Sequence, residues 1–274
     1  MEAKRWQQPR TARDADKWAL YEHAVQTPEH EIALVERAYA RLRGRRPRVL
    51  REDFCGTALV ACEWARRRRG NCAVGVDIDA AVLAQARRRN LARLNDEQRR
   101  RVVLLRRDVR HPGREGSGAD VVVALNFSYW VFHTRDALRG YFASVRRSLG
   151  PAGVFILDHF GGWAATREQE ERTRYHRYTY VWDQHRFNPL TARMLCYIHF
   201  EFRDGSALRR AFRYDWRVWT LPETVELLRE AGFDRVGVLW EGTDRRGRGN
   251  GVFRPASDHP EACESFVAYL VAAR

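Results

Sequence analysis

Val49-Leu50-Arg51-Glu52-Asp53-Phe54-Cys55-Gly56-Thr57-Ala58 is the stretch on which the fold turns. A short run ends in acidic residues, turns on Cys-Gly-Thr, and enters a segment, Ala58 to Arg69, with helical spacing of apolar residues. Twenty-one residues past Gly56 comes Asp77, in the run Val74-Gly75-Val76-Asp77-Ile78-Asp79. This is a second strand ending in acids, followed by a helical stretch from Ala80 to about Leu94. The rhythm continues outward. Val102 to Arg106 and the apolar run Asp120 to Leu125 predict two more strands, the latter buried on both faces of a parallel sheet. A helix over Leu138 to Leu149 stops at Gly150-Pro151, and a fifth strand follows at Val154 to Leu157. Strand–helix alternation of this kind predicts a doubly wound, mostly parallel sheet.

The pattern changes after Gly161-Gly162. Glu168 to Arg174 is highly charged. Tyr175 to Asp183, Arg193 to Phe202 and Ala207 to Trp216 then read as aromatic-rich β segments, separated by turn signals at Asn188-Pro189 and Asp204-Gly205-Ser206. An antiparallel insertion after the fifth strand is expected, lying over the carboxyl edge of the sheet. A helix at Pro222 to Ala231, closed by Gly232, returns the chain to the main sheet. Strands at Val236 to Trp240 and Phe266 to Val271 flank a glycine-rich turn, Gly242 to Gly251, and bring the expected sheet to seven strands. Ahead of all this, Trp18 to Leu42 carries helical spacing broken by Pro28, so two helices are expected. The reading is one domain over 1–274: an N-terminal helical cap (1–47), a ligand-binding core (48–162), a β-rich substrate cap (163–220) and the C-terminal part of the core (221–274).

Composition limits the function. The chain has 274 residues, 45% of them apolar, which suffices for a full core. No apolar run approaches the roughly 20 residues of a membrane span, and the first ten residues lack the apolar core of a secretory signal. A cytoplasmic protein without a membrane partner is therefore expected. Five cysteines without a C-x-x-C pair give neither a disulfide framework nor a zinc site, and no metal is expected. The net charge of +14 admits a nucleic-acid partner. It does not indicate one, because the arginines are scattered in short runs along the whole chain.

The two acidic strand ends resemble the first two motifs of class I S-adenosylmethionine (SAM)-dependent methyltransferases, whose fold is a Rossmann-like, seven-stranded sheet. Leu50-Arg51-Glu52-Asp53-Phe54-Cys55-Gly56-Thr57, Asn126-Phe127-Ser128-Tyr129 and Tyr214-Asp215-Trp216-Arg217 further resemble a bacterial methyltransferase family marked by an L-R-E-D-F-C-G-T first motif. The resemblance implies SAM as cofactor and S-adenosylhomocysteine as product. It puts Glu52 on the acidic position of the first motif and Gly56, between Cys55 and Thr57, on the central glycine. Phe54 and Ala58 replace the flanking glycines, so a looser backbone approach is expected there. Asp77, beside Ile78, falls where a ribose diol is held, Asp108-Val109 where adenine is met, and Asn126-Phe127 under the sulfonium. These positions lie at the carboxyl ends of parallel strands, where open α/β sheets bind ligands. Each residue has a simpler reading, Asp77 as a helix N-cap and Gly56 as a turn glycine, and the ordered set outweighs its members. A nicotinamide dinucleotide is disfavoured, since Gly56-Thr57-Ala58-Leu59-Val60-Ala61 lacks the G-x-G-x-x-G that lines a pyrophosphate.

For the acceptor, Asn126-Phe127-Ser128-Tyr129 is similar to the N-P-P-Y motif of amino-methyltransferases, with both prolines missing. A methyltransferase acting on nucleic acid or a protein amine is thus one reading, and a non-catalytic SAM-binding protein another. The favoured reading is a small-molecule acceptor in an aromatic pocket supplied by the insertion, drawn from Tyr175, Tyr178, Tyr180, Trp182, Tyr197, Phe200, Phe202, Phe212, Tyr214, Trp216 and Trp219. His159, Asp158 and Tyr129 are the candidate catalytic residues, ahead of His133, His176, His185 and His199. Tyr21, on the first helix, is a candidate to fold over the cofactor. Methyl transfer itself is expected as an in-line displacement. The sequence leaves open whether oxygen, nitrogen or carbon is methylated, and in what oligomeric state.

Overall fold

The computed structural model describes residues 8–244, 249–257, 260 and 262–274. In chain order its elements are α1 (Lys17–Val25), α2 (Pro28–Arg43), β1 (Val49–Asp53), α3 (Leu59–Arg67), β2 (Cys72–Asp77), α4 (Ala80–Arg89) and a short α5 (Asp96–Arg99). Then come β3 (Val102–Arg106), β4 (Ala119–Ala124), α6 (Arg135–Ser148), β5 (Leu149–Gly161), β6 (Gln169–Arg174), β7 (Tyr178–Asn188), β8 (Arg193–Phe202) and β9 (Ala207–Arg217). The last elements are α7 (Leu221–Glu230), β10 (Arg235–Thr243), β11 (Gly249–Pro255) and β12 (Phe266–Ala273). None of the helices among the described residues is long and apolar enough to cross a membrane.

The chain divides into two compact units. The larger takes Pro28–Ala165 and Trp219–Arg274, and the smaller takes the N-terminal residues to Thr27 with Thr166–Val218. The expected helical cap over 1–47 is therefore split at Pro28: α2 belongs to the larger unit, α1 to the smaller.

In the larger unit the strands run β11-β10-β12-β5-β4-β1-β2-β3. Strands β1 to β5 pair in parallel. Strand β12 runs antiparallel between β5 and β10. Seven of these strands were expected; the eighth, β11, pairs antiparallel with β10. It occupies part of the Gly242–Gly251 stretch read as a turn, the rest of which includes residues 245–248, outside the described residues. Val121, Val122 and Val123 of β4 have no exposure, as a central strand covered on both faces requires. One face is covered by Ile32, Val35 and Tyr39 of α2 with Val60 and Trp64 of α3. On the other, Tyr141 and Phe142 of α6 meet Phe155 of β5 at ring distances of 6.0 and 5.8 Å. Because β1 connects to β2 on one side while β4 lies on its other side, the carboxyl ends of β1 and β4 flank the switch point of the sheet.

The smaller unit is a four-stranded antiparallel sheet, β6-β7-β8-β9. Leu20 of α1 packs on it among Tyr178, Ile198, Phe200 and Phe202. Strand β6 carries no apolar–polar alternation that would mark it as a strand in the sequence. Its Glu170, Glu171, Arg172 and Arg174 are all exposed, the charged composition that blunts an edge strand against further pairing. The expected aromatic set is divided as well. Trp219 lies in the larger unit, where its indole N–H donates to the carbonyl of Phe132 at 3.1 Å.

Candidate functional site

The loop from β1 into α3 is built from three consecutive left-handed alternations. Phe54, Gly56 and Ala58 have φ of 56°, 52° and 55°. The sequence led us to expect a looser backbone where Phe54 and Ala58 replace glycine. Instead the backbone keeps the positive φ that glycine adopts freely, and the two substituted residues bear it. What compensates Phe54 is its ring, which packs 6.0 Å from Phe132 and 5.6 Å from Tyr141. Ala58 is completely buried. At Gly56 nothing lies within 4 Å of the place a Cβ would occupy, so the backbone of the turn stays open.

Asp77, at the end of β2, faces this turn. The Gly56 amide donates to its Oδ2 at 2.9 Å and the Asp79 amide to its Oδ1 at 2.9 Å. The cap of α4 is a different residue, Asp79, which accepts from Ala81 and Val82. Asp77 is thus relieved of the N-cap role. Burial raises its carboxyl above the ordinary range, and the amides of Asp79 and Gly56 oppose that rise. Beside it Ile78 is 67% exposed, an apolar side chain left in solvent next to an acid at a strand tip.

The other predicted cofactor residues separate into two groups. Glu52, Cys55, Thr57 and Val109 are buried. Glu52 turns inward and accepts the Ala61 amide of α3 at 2.9 Å, and desolvation pushes its carboxyl up to about 8. Asp108 is only partly buried, but both its oxygens take the Arg110 guanidinium at 2.6–3.1 Å, which holds its carboxyl below the usual range. The same guanidinium lies 5.6 Å over the Phe132 ring. Arg110 was not singled out in the sequence, where it is one arginine among many. Tyr21 belongs to the smaller unit. Its ring lies 4.9 Å from Phe212 and its hydroxyl bonds Tyr214.

After β4 the backbone turns left-handed twice in succession, at Asn126 (φ 57°) and Phe127 (φ 55°). Their amides donate to the two oxygens of Asp158, at 2.6 and 2.8 Å. Asp158 is buried, and desolvation raises its carboxyl to about 7 against the pull of those amides. Tyr129 and His159 have no exposure at all. The Tyr129 hydroxyl meets His159 Nδ1 at 2.8 Å, and the imidazole sits 5.9 Å from the Trp130 ring and 6.4 Å from that of Phe266. Burial drives His159 down to about 3, a neutral ring at any working pH, and raises the Tyr129 hydroxyl well above its ordinary value. In the smaller unit His199 and His185 flank Asp183 at 3.2 and 3.4 Å.

An open glycine backbone, a half-buried acid and an exposed aliphatic side chain stand together at the carboxyl ends of β1 and β2. That set suits a nucleoside: a diol for the carboxylate and a flat base for the aliphatic surface. Residues 55–155 match the family model described as a methyltransferase domain. No curated protein matches the chain. Among solved structures, the CcbJ methyltransferase of Streptomyces caelestis is similar at a TM-score of 0.64 and 17% identity, over 95% of this chain and 100% of that one. SAM-bound CalS10 of Micromonospora echinaspora, an amino pentose methyltransferase, gives 0.61 and 19% over 94% and 95%. The sugar N-methyltransferase KedS8 of Streptoalloteichus sp ATCC 53650 gives 0.61 and 15% over 100% and 97%. At these identities the likeness is one of fold.

Proposed function

We propose that the chain, whose residues 55–155 match a methyltransferase domain, is a class I, SAM-dependent methyltransferase that methylates the nitrogen of a small-molecule amine. One observation carries the choice of nitrogen. None of the three groups nominated to take a proton is presented to an acceptor: Asp158 is buried under two amides, and Tyr129 and His159, bonded through Nδ1, are wholly enclosed in the interior. A neutral amine attacks with its own lone pair and sheds its proton afterwards, whereas an alcohol needs a base during attack. The names of two fold neighbours, an amino pentose methyltransferase and a sugar N-methyltransferase, support the same class.

In this reading SAM supplies a methyl group already activated on a sulfonium. The protein's part is to bind, orient and exclude water. The open Gly56 backbone and Asp77 would hold the amino-acid and ribose parts, with Ile78 and Asp108 along the base. Buried Glu52, Cys55 and Thr57 would contribute through the backbone they shape. Tyr129 and His159 would serve as a rigid floor rather than as proton carriers.

Calorimetry with SAM and S-adenosylhomocysteine tests the cofactor site, and turnover on a panel of amino sugars and their hydroxyl counterparts tests the acceptor. Methylation confined to the hydroxyl compounds would overturn the assignment to nitrogen. The net charge of +14 keeps a polynucleotide acceptor as the second reading. A steep loss of RNA affinity with rising salt is its signature.

A further inference from the structure

Asp158 has a geometry that the methyl-transfer reading does not by itself explain. Two consecutive residues with side chains, Asn126 and Phe127, hold positive φ at the end of β4. Such a pair persists only where its surroundings impose it. The imposition comes from the neighbouring strand. In register, Ala124 of β4 lies beside Leu157 of β5, so the next residue of β5 reaches under the turn and takes one amide on each carboxylate oxygen. Inside the turn the Ser128 hydroxyl also donates at 2.7 Å to the carbonyl of Leu125, the residue just before Asn126. The Asn126 side chain is half-exposed and makes no hydrogen bond among the described residues. Phe127 is steadied further by the rings of Trp130 and Phe160, at 6.0 and 5.8 Å.

We propose that Asp158 is a positioning residue for the transfer site, clasping the Asn126–Phe127 turn in its binding-competent form through both carboxylate oxygens. The proposal rests on the SAM-dependent reading of the crevice. An ionised carboxylate is an acceptor at both oxygens. A protonated one becomes a donor at one of them, and one amide then loses its partner. The clasp therefore opens by protonation. The titratable groups that face Asp158 are Tyr129, in the turn after β4, and Tyr269, its register partner on β12. Both feel its charge, and burial keeps both neutral. No cation pairs with Asp158 among the described residues, so only backbone amides oppose its protonation. Burial brings the switch into the neutral range, near 7.

The test uses the full chain and S-adenosylhomocysteine, whose own groups do not titrate between pH 6 and 8. If only the ionised clasp binds, wild-type affinity falls about tenfold from pH 8 to pH 6. Asp158→Asn, with one acceptor oxygen in place of two, binds more weakly at pH 8 and loses the pH slope. A role confined to structure would lower affinity without removing the slope. In the ¹⁵N-labelled wild type the amide protons of Asn126 and Phe127 move together with a midpoint near 7, a readout that survives if the variant does not fold. A flat wild-type affinity, a slope retained in Asp158→Asn, or amides that do not titrate overturns the proposal. Failure of the wild type to bind S-adenosylhomocysteine at pH 8 would instead sink the cofactor reading, and the amide titration would still decide the clasp.

Discussion

The amide of Gly56 donates to the carboxylate of Asp77 across 2.9 Å, joining the turn after the first strand to the acid at the tip of the second. An acid in this position does two jobs: it fixes the turn, and it keeps lone pairs facing the open backbone. Asp79, two residues on, does neither and caps α4. The two aspartates therefore separate by measurement. Asp77→Ala is expected to weaken S-adenosylhomocysteine binding by on the order of 10–100-fold, the worth of one or two charge-assisted hydrogen bonds. Asp79→Ala is expected to leave that affinity unchanged and cost about 1 kcal/mol of stability, as a lost cap does. Calorimetry beside thermal melts of both variants reads the contrast. An affinity loss in Asp79→Ala equal to that in Asp77→Ala would contradict it.

Phe54 and Ala58 make a second contrast. Both sit at positive φ without being glycine, a conformation costing roughly 1 kcal/mol for a residue with a side chain. Ala58→Gly removes that strain and only one methyl group, so its stability should stay within about 1 kcal/mol of wild type, on either side. Phe54→Gly relieves the same strain but deletes a ring packed on Phe132 and Tyr141, and should lose roughly 2–4 kcal/mol. Urea unfolding of the two variants distinguishes them, and equal losses would place the weight on the backbone rather than on the ring.

These residues also show what was legible in the sequence. Gly56 and the acids at 77 and 79 announced the two strand ends, and the apolar Val121–Val123 run announced a central strand. Their signals are local, set by period and by turn chemistry. What escaped was decided by partners far along the chain. The charged β6 is a strand because β7 supplies its ladder, and β11 because β10 does. The roles of Asp158, Arg110 and His159 depend on which groups the fold brings within hydrogen-bonding distance, which composition cannot report. Phe54 is the instructive case: a residue read as a departure from the glycine pattern keeps the glycine backbone, because neighbours from the loop after β4 and from α6 hold its ring.

The buried pair beneath the loop should be among the costliest to break. Arg51 and Asp53 are fully buried, 2.9 Å apart, and Tyr141 donates to the same carboxylate while Arg51 also bonds the Gly116 carbonyl and Ser148. Arg51→Met leaves Asp53 charged without its cation and is expected to destabilise by about 3–5 kcal/mol. The double variant Arg51→Met with Asp53→Leu removes both charges and should recover part of that loss. Denaturation of the single and double variants measures the coupling. A double variant that loses the sum of the two single losses would show the pair to be uncoupled.

Glu52 makes a prediction about pH. Burial lifts its carboxyl from the ordinary range to about 8, so between about pH 4.5 and 8 the folded chain holds a proton that the unfolded chain has released. Stability bound to such a group is present in full below the unfolded pKa and is lost as pH climbs through the folded one, with a slope of up to roughly 1.4 kcal/mol per pH unit. Asp158, raised to about 7, acts in the same direction over a window beginning lower. Glu52→Gln keeps an acceptor for the Ala61 amide and cannot ionise. The variant should match wild type near pH 5 and exceed it near pH 8.5, by on the order of 1–3 kcal/mol. Urea titrations at the two pH values settle the sign. A variant equally destabilised at both would mean that Glu52 is ionised in the folded chain and bound to a cation's field rather than held as a neutral acid under the helix.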